Sequence, residues 1–181
     1  MGHFLQVPWG LHMHRRDLLK LGALAAFPAT IPAAWAAQAA KPDWRPSFLD
    51  AHQNETVIAL TDLIIPATDT PGAKAAHVNR YIDLFLRDGD QTTRERFLGG
   101  LNWLDGEALR QHQHPFAHCA PAEQIAMLEA MDSGRGPAHD FFRMAKSITS
   151  RVYYNTEIGY QELNKGGRVP ATFGCRHGSH A

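Results

Sequence analysis

Histidine and cysteine side chains cluster in two short stretches of this chain. The stretches are HQHPFAHC (112–119) and CRHGSH (175–180). Imidazole and thiolate groups at such short spacings can bind zinc or copper. The candidate ligands are His112, His114, His118, Cys119, Cys175, His177 and His180. One hypothesis is therefore a free-standing exported metal-binding protein that uses these segments.

The predicted positions of the two stretches favour the opposite interpretation. We expect the first in a loop between helices and the second in a terminal tail. Neither is a rigid element that would fix a coordination geometry, and histidine is readily tolerated in such polar segments. We therefore predict no metal site in this chain.

Catalytic groups are equally sparse. Asp62 and Asp69 could form a pair of carboxylates, but we place Asp62 on a helix and Asp69 in the following loop, where it is typical of a turn. Cys175 and His177 could act as nucleophile and base, yet a terminal tail is a poor place for catalysis. The motifs that bind nucleotides, covalent haem or iron–sulfur clusters are missing. We predict neither a catalytic residue nor a cofactor in this chain.

The elements that would position these groups are all helices. Apolar residues recur at helical spacing in five segments, and no stretch alternates with the period of a strand. The helices are predicted from Ser47 to Pro66, around 78–86, from Thr92 to Leu109, from Pro121 to Met131, and from about His139 to Asn164. The loop PATDTPG (66–72) follows the first, and a Gly-rich tail, KGGRVPATFGCRHGSHA, follows the last. The fold class is all-α, a small bundle of about five helices.

The N-terminal segment has the pattern of a twin-arginine export signal. Its ordered parts are a basic pair, two leucines with a lysine, a short apolar core LGALAAF (21–27) and a small-x-small cleavage site. The residues are Arg15, Arg16, Leu18, Leu19 and Lys20 for the signal, and Ala34 and Ala36 for cleavage. The core is far shorter than the roughly 20 residues of a membrane-spanning helix, so an uncleaved anchor is the lesser alternative. Translation could begin at Met1 or at Met13.

This pattern divides the chain into a signal peptide (1–36) and one helical domain (37–181), with the mature chain starting near Ala37. The whole sequence has 18 Lys and Arg against 18 Asp and Glu, so nothing indicates a nucleic-acid partner. Cys119 and Cys175 could form a disulfide with each other or with another chain in an oxidising compartment. The signal addresses a machine that carries folded cargo, and nothing else in the chain explains why folding must precede export.

Two blocks resemble the gluconate 2-dehydrogenase subunit 3 family. LTDLIIPATDTPGAKAAHVNRYIDLFL (60–86) is similar to that family's helix ending in IIP, its TDTPGA-type loop and its following helix with FID-like residues. FFRMAKSITSRVYYNTEIGYQELNKGGRVPATFGC (141–175) resembles its C-terminal block, usually written YYTSEIGY. Residues 88–137 match only in length and helical pattern.

The resemblance implies a noncatalytic small subunit of a periplasmic sugar or sugar-acid dehydrogenase at the inner membrane. Its partners would be a large FAD-dependent subunit of the glucose-methanol-choline type, a multihaem cytochrome c in some complexes, and the twin-arginine translocase. The FAD-loaded partner must cross the membrane folded, and the small subunit's signal would carry both. Alternatives are a small enzyme in its own right, or a subunit that acts in assembly alone.

Aromatic residues near the end of the last helix are candidates for the interface with that partner. Tyr buries a large ring while its hydroxyl still finds a hydrogen bond. On a continuous helix, Tyr153, Glu157 and Tyr160 would share one face. The predicted interface residues are Tyr153, Tyr154, Glu157, Tyr160 and Phe173, with core packing as the alternative for Tyr153.

Overall fold

The computed structural model describes residues 31–163 of the chain. This range contains seven α-helices, one turn of 3-10 helix and no strand, which confirms the all-α prediction. The elements are α1 (Ala33–Ala39), α2 (Ala51–Ile64), α3 (Val78–Asp88), α4 (Gln91–His112), the 3-10 turn (Phe116–His118), α5 (Pro121–Ser133), α6 (Pro137–Asn155) and α7 (Glu157–Leu163). None of the helices in this range is both long enough and apolar enough to span a membrane.

Helix α6 is the centre of the bundle. It contacts α2, α3, α4, α5 and α7. Both its bulky and its small residues are buried, because neighbours pack on several of its sides. The residues at helical spacing along its middle are buried; they are Phe142, Ala145, Ile148, Thr149 and Val152. The rings of Phe97 on α4 and Phe141 on α6 meet edge to face, with centroids 5.6 Å apart.

Two helix starts differ from the prediction. Helix α2 is capped by Asp50, which forms a reciprocal capping box with Gln53, and not by Ser47. Helix α4 is capped by Asp90, whose carboxylate accepts from the Thr93 backbone N–H. Residues that can cap occur close together in both places, and the sequence pattern favoured the wrong one. Pro121 does begin α5, in the first turn where its missing N–H costs nothing.

The predicted last helix is wrong in one respect, because it breaks at Thr156. The backbone of Thr156 is extended, with φ −80° and ψ 160°. Its hydroxyl donates to the Tyr153 carbonyl at 2.6 Å and accepts from the Gly159 N–H at 3.2 Å. Thr156 thus ends α6 and caps α7, so Tyr153 does not lie on the same helix as Glu157 and Tyr160. A Thr followed by Glu is itself a helix-start signal that the continuous periodicity obscured.

Candidate functional site

The loop after α2 and the C-terminal helices meet at the Tyr153 hydroxyl. This oxygen lies 2.6 Å from the Pro71 carbonyl oxygen and 2.6 Å from Glu162 Oε2. Its single proton is shared between these two acceptors, one on the loop and one on α7. The two blocks that carry the family resemblance are therefore joined in space although 82 residues separate Tyr153 from Pro71. We call the loop Pro66–Pro71 together with α7 the loop–helix junction.

Backbone hydrogen bonds hold the Pro66–Pro71 loop in one conformation. The Ala73 N–H donates to the Ile65 carbonyl at 2.8 Å, and the Thr68 N–H donates to the Thr70 carbonyl at 3.0 Å. Gly72 is needed because a Cβ there would lie 2.5 Å from the Ala67 nitrogen. Asp69 accepts from the Thr68 hydroxyl at 3.0 Å. Residues 66–69 and Pro71 are exposed, so the loop presents its outer side to solvent.

Helix α7 lies close against the end of α6. A Cβ on Gly159 would lie 2.0 Å from the Tyr153 carbonyl oxygen, so only glycine permits this approach. Ile158 is half-buried against the core. The helix thus covers the end of α6 with one side and leaves Glu157 and Gln161 exposed on the other.

The predicted interface residues lie in different environments in the structure. Tyr153 is fully buried inside the chain, which is the core alternative, and its ring packs edge to face on Tyr154 at 5.2 Å between centroids. Tyr154 and Tyr160 are half-buried and Glu157 is exposed, so these three reach the surface. Phe173 lies outside the described residues. An interface through the remaining residues stays a prediction.

The electrostatics of the junction make Tyr153 a hydrogen-bond donor and not a base. Burial raises the pKa of its hydroxyl, and the hydrogen bond and negative charge of Glu162 raise that pKa further. The hydroxyl therefore keeps its proton, and its part is to hold α7 and the loop together.

Asp83 is a structural residue that the sequence interpretation missed. Its carboxylate is fully buried and accepts four hydrogen bonds. Oδ2 accepts from the Ser47 N–H at 2.8 Å and the Ser47 hydroxyl at 2.7 Å, and Oδ1 accepts from the Phe48 N–H at 2.9 Å and the Leu49 N–H at 2.8 Å. The sequence did contain an indication of this role. A carboxylate between Ile82 and Leu84 in an apolar stripe is costly to bury unless hydrogen-bond donors surround it.

The histidine stretch of residues 112–119 makes separate contacts. His112 Nδ1 lies 3.2 Å from Glu123 Oε1, and His118 Nε2 lies 3.7 Å from Glu55 Oε2. Across residues 31–163, no three His, Cys, Asp or Glu side chains are grouped so that they could hold a metal ion. The second stretch, Cys175 to His180, lies outside the described residues.

Cys119 is a buried thiol. Its Sγ donates to the carbonyls of His114 at 3.6 Å and Pro115 at 3.5 Å. Burial raises the pKa of this thiol, and the carboxylates of Glu123 and Asp105 add to the shift. Cys175 is outside the described part of the chain, so the disulfide stays a prediction.

The residues predicted for export lie at or beyond the edge of the described range. Arg15, Arg16, Leu18, Leu19 and Lys20 are outside it. Ala34 and Ala36 are exposed on α1, while Trp35 between them is buried with 8% of its surface exposed. The predicted cleavage site is therefore part of a packed helix.

Two large apolar side chains are exposed elsewhere in residues 31–163. Trp103 and Leu109 on α4 expose 45% and 47% of their surface. Trp103 lies between two shallow grooves, one along α4 and the start of α6, the other between α4 and α5. Since α6 has 19 residues and is about 28 Å long, this surface and the loop–helix junction lie toward opposite ends of it.

The comparison with protein families finds a match that covers most of the helical domain. Residues 51–167 match the family described as gluconate 2-dehydrogenase subunit 3. The match begins at the first residue of α2 and includes both the Pro66–Pro71 loop and the whole of α7. No curated protein and no solved structure matches the chain.

Proposed function

The chain belongs to the gluconate 2-dehydrogenase subunit 3 family, and on that premise we propose that it escorts and stabilises a separate catalytic subunit. Membership makes it one subunit of a dehydrogenase complex, which implies a catalytic partner. We propose that this partner is a large FAD-dependent dehydrogenase of the glucose-methanol-choline type acting on a sugar or sugar acid. The single observation that carries the proposal is the family match over most of the helical domain.

We further propose that the chain carries the twin-arginine signal for the complex. Arg15, Arg16, Leu18, Leu19 and Lys20 have the order of such a signal. A subunit that binds FAD in the cytoplasm has to cross the membrane folded, and a bound escort can supply the address. The complex would then reside in the periplasm at the inner membrane, where a multihaem cytochrome c is a further candidate partner.

The surface that we propose for the catalytic subunit is the loop–helix junction. Tyr160 on α7 and Tyr154 at the adjoining end of α6 are half-buried, so each could still bury more ring area on association. The Pro66–Pro71 loop, which Tyr153 joins to α7, is largely exposed and is held in one shape by its own hydrogen bonds, which lowers the entropic cost of binding. Glu157 on α7 and Asp69 in the loop are exposed charged groups of this surface.

The test is co-purification of the tagged chain with the catalytic subunit expressed beside it. We expect a large chain that carries a flavin absorption spectrum and dehydrogenase activity. Tyr160→Ala should reduce the recovered flavoprotein about tenfold or more, the size of one interface hot spot. Trp103→Ala is the matched control, because it removes another aromatic ring near the opposite end of α6.

This experiment tests the escort function and the proposed surface separately. Recovery of no flavoprotein with the unmodified chain would contradict the escort function. Loss of flavoprotein on Trp103→Ala but not on Tyr160→Ala would keep the function and contradict the proposed surface.

A further inference from the structure

Helix α1 is packed onto α3 by its tryptophan. The Trp35 ring is buried, and its Nε1–H donates to Asp88 Oδ2 at 2.9 Å. Asp88 is itself held by Arg87, whose Nε and Nη2 donate to the two carboxylate oxygens at 2.6 and 2.8 Å. The acceptor for Trp35 is therefore itself held by two hydrogen bonds from Arg87.

Two arginines of α3 hold the rest of the segment. Arg80 Nη1 donates to the carbonyls of Ala39 at 2.6 Å and Lys41 at 3.0 Å. Arg87 Nη1 donates to Gln38 Oε1 at 2.9 Å. Ala39 is almost completely buried, with 1% of its surface exposed. Helix α1 is thus attached at its middle, its end and the turn beyond it.

These contacts hold the bond that export processing would cut within a packed helix, although Ala34 and Ala36 themselves are exposed. Ala34, Trp35 and Ala36 are the small-x-small residues, and all three lie inside α1. A protease binds its substrate in an extended conformation, so α1 must unwind and Trp35 must leave the core first. The cleavage rate is then proportional to the fraction of time that the segment is open, so contacts that keep it closed slow cleavage.

We propose that packing of Trp35 protects the Ala34–Trp35–Ala36 site in the folded chain, so that the exported protein keeps its N-terminal segment. The inference rests on the proposed function for its link to export, because a twin-arginine signal delivers a chain that is already folded. The protection itself is a property of the folded chain and can be tested without export.

The first experiment is limited proteolysis of the purified full-length chain with elastase, which cleaves after small residues. We expect cleavage within residues 33–40 to be at least about tenfold faster in Trp35→Ala than in the unmodified chain. Asp88→Ala should also speed cleavage within residues 33–40, because it removes the hydrogen-bond acceptor of Trp35 without changing the cleaved sequence. Cleavage after Ala67 in the exposed loop is the internal control and should keep its rate in all three proteins.

Equal cleavage rates within residues 33–40 in the unmodified chain and both variants would overturn the proposal. If the rate of cleavage after Ala67 also rises in Trp35→Ala, that variant is generally unfolded. The rate within residues 33–40 in Asp88→Ala then decides whether the packing protects the site. The second measurement is the intact mass of the chain from the periplasm, where an N-terminus at Ala37 in the unmodified protein would also overturn it. A chain that never reaches the periplasm contradicts the proposed export alone, and the elastase comparison still decides the protection.

Discussion

Asp83 connects the start of the helical domain to α3 through one carboxylate. Its two oxygens accept three backbone N–H groups and one hydroxyl from residues 47–49, which lie just before α2. A carboxylate suits this place because both of its oxygens accept. These four hydrogen bonds therefore explain why residue 83 is an aspartate, and no catalytic role is needed to account for its charge.

Asp83→Asn should destabilise the chain by about 2–3 kcal/mol, since an amide has one acceptor oxygen and its NH2 group would face two donors. Urea unfolding of the full chain measures the change. Asp43→Asn, at an exposed position, is the control and should stay within about 0.5 kcal/mol of the unmodified chain. A loss as small as that of the control would mean that the four hydrogen bonds add little to stability.

Cys119 is expected to react slowly in the folded chain. Its thiol is buried and its pKa is raised, so little thiolate is present at pH 8 and access is poor. Iodoacetamide should modify the reduced Cys119 at least about tenfold more slowly in the folded chain than in urea. Peptide masses that locate the label give the rate. Equal rates in the two conditions would mean that the 3-10 turn opens freely.

At the scale of elements, the position of α7 depends on a single close approach. Gly159 lies against the Tyr153 carbonyl, and Thr156 breaks the helix so that α7 can turn onto the end of α6. Tyr153 then ties α7 to the Pro66–Pro71 loop. The shape of the loop–helix junction is therefore set by α6.

Gly159→Ala should detach α7, because its Cβ would overlap the Tyr153 carbonyl. We expect a loss of about 2 kcal/mol or more in urea unfolding and faster hydrogen exchange over residues 157–163. Gly106→Ala is the matched control, and its expected effect on the free energy of unfolding has the opposite sign. Gly106 lies inside α4 with open space where the Cβ would go, so alanine should stabilise the chain by about 0.5–1 kcal/mol. Similar effects of the two substitutions would contradict this account of α7.

For the whole molecule, the export proposal depends on the arginine pair. Changing Arg15 and Arg16 together to lysine should leave the dehydrogenase activity of the proposed complex in the cytoplasm, because the translocase recognises the pair. Activity and the tagged chain are measured in periplasmic and cytoplasmic fractions. Replacing Arg45, an exposed residue of the helical domain, by lysine is the control and should leave the distribution unchanged.

Periplasmic activity at the unmodified level in the double lysine variant would contradict export by this signal. It would leave the escort function untouched, because co-purification tests that function separately.

The all-α class, the helix around residues 78–86 and the start of α5 at Pro121 could be predicted from the sequence. These features depend on local causes, namely an apolar stripe at helical spacing and a proline that suits a first turn. The family was also visible in the residues, since the loop after α2 and the YYNTEIGY stretch are contiguous in sequence.

The break at Thr156 had a local signal that the continuous periodicity obscured, whereas the burial of Tyr153 and the four hydrogen bonds of Asp83 could not be derived from the sequence. Each depends on a partner distant in the chain or on the path of another helix, and periodicity carries no information about either. Trp35 gives the clearest case. In the sequence it is the middle residue of a cleavage pattern, and only packing against α3 makes it part of the core. Sequence therefore determined the all-α class, most of the helical segments and the family that the chain resembles, whereas tertiary contacts decided which side chains remain free to meet a partner.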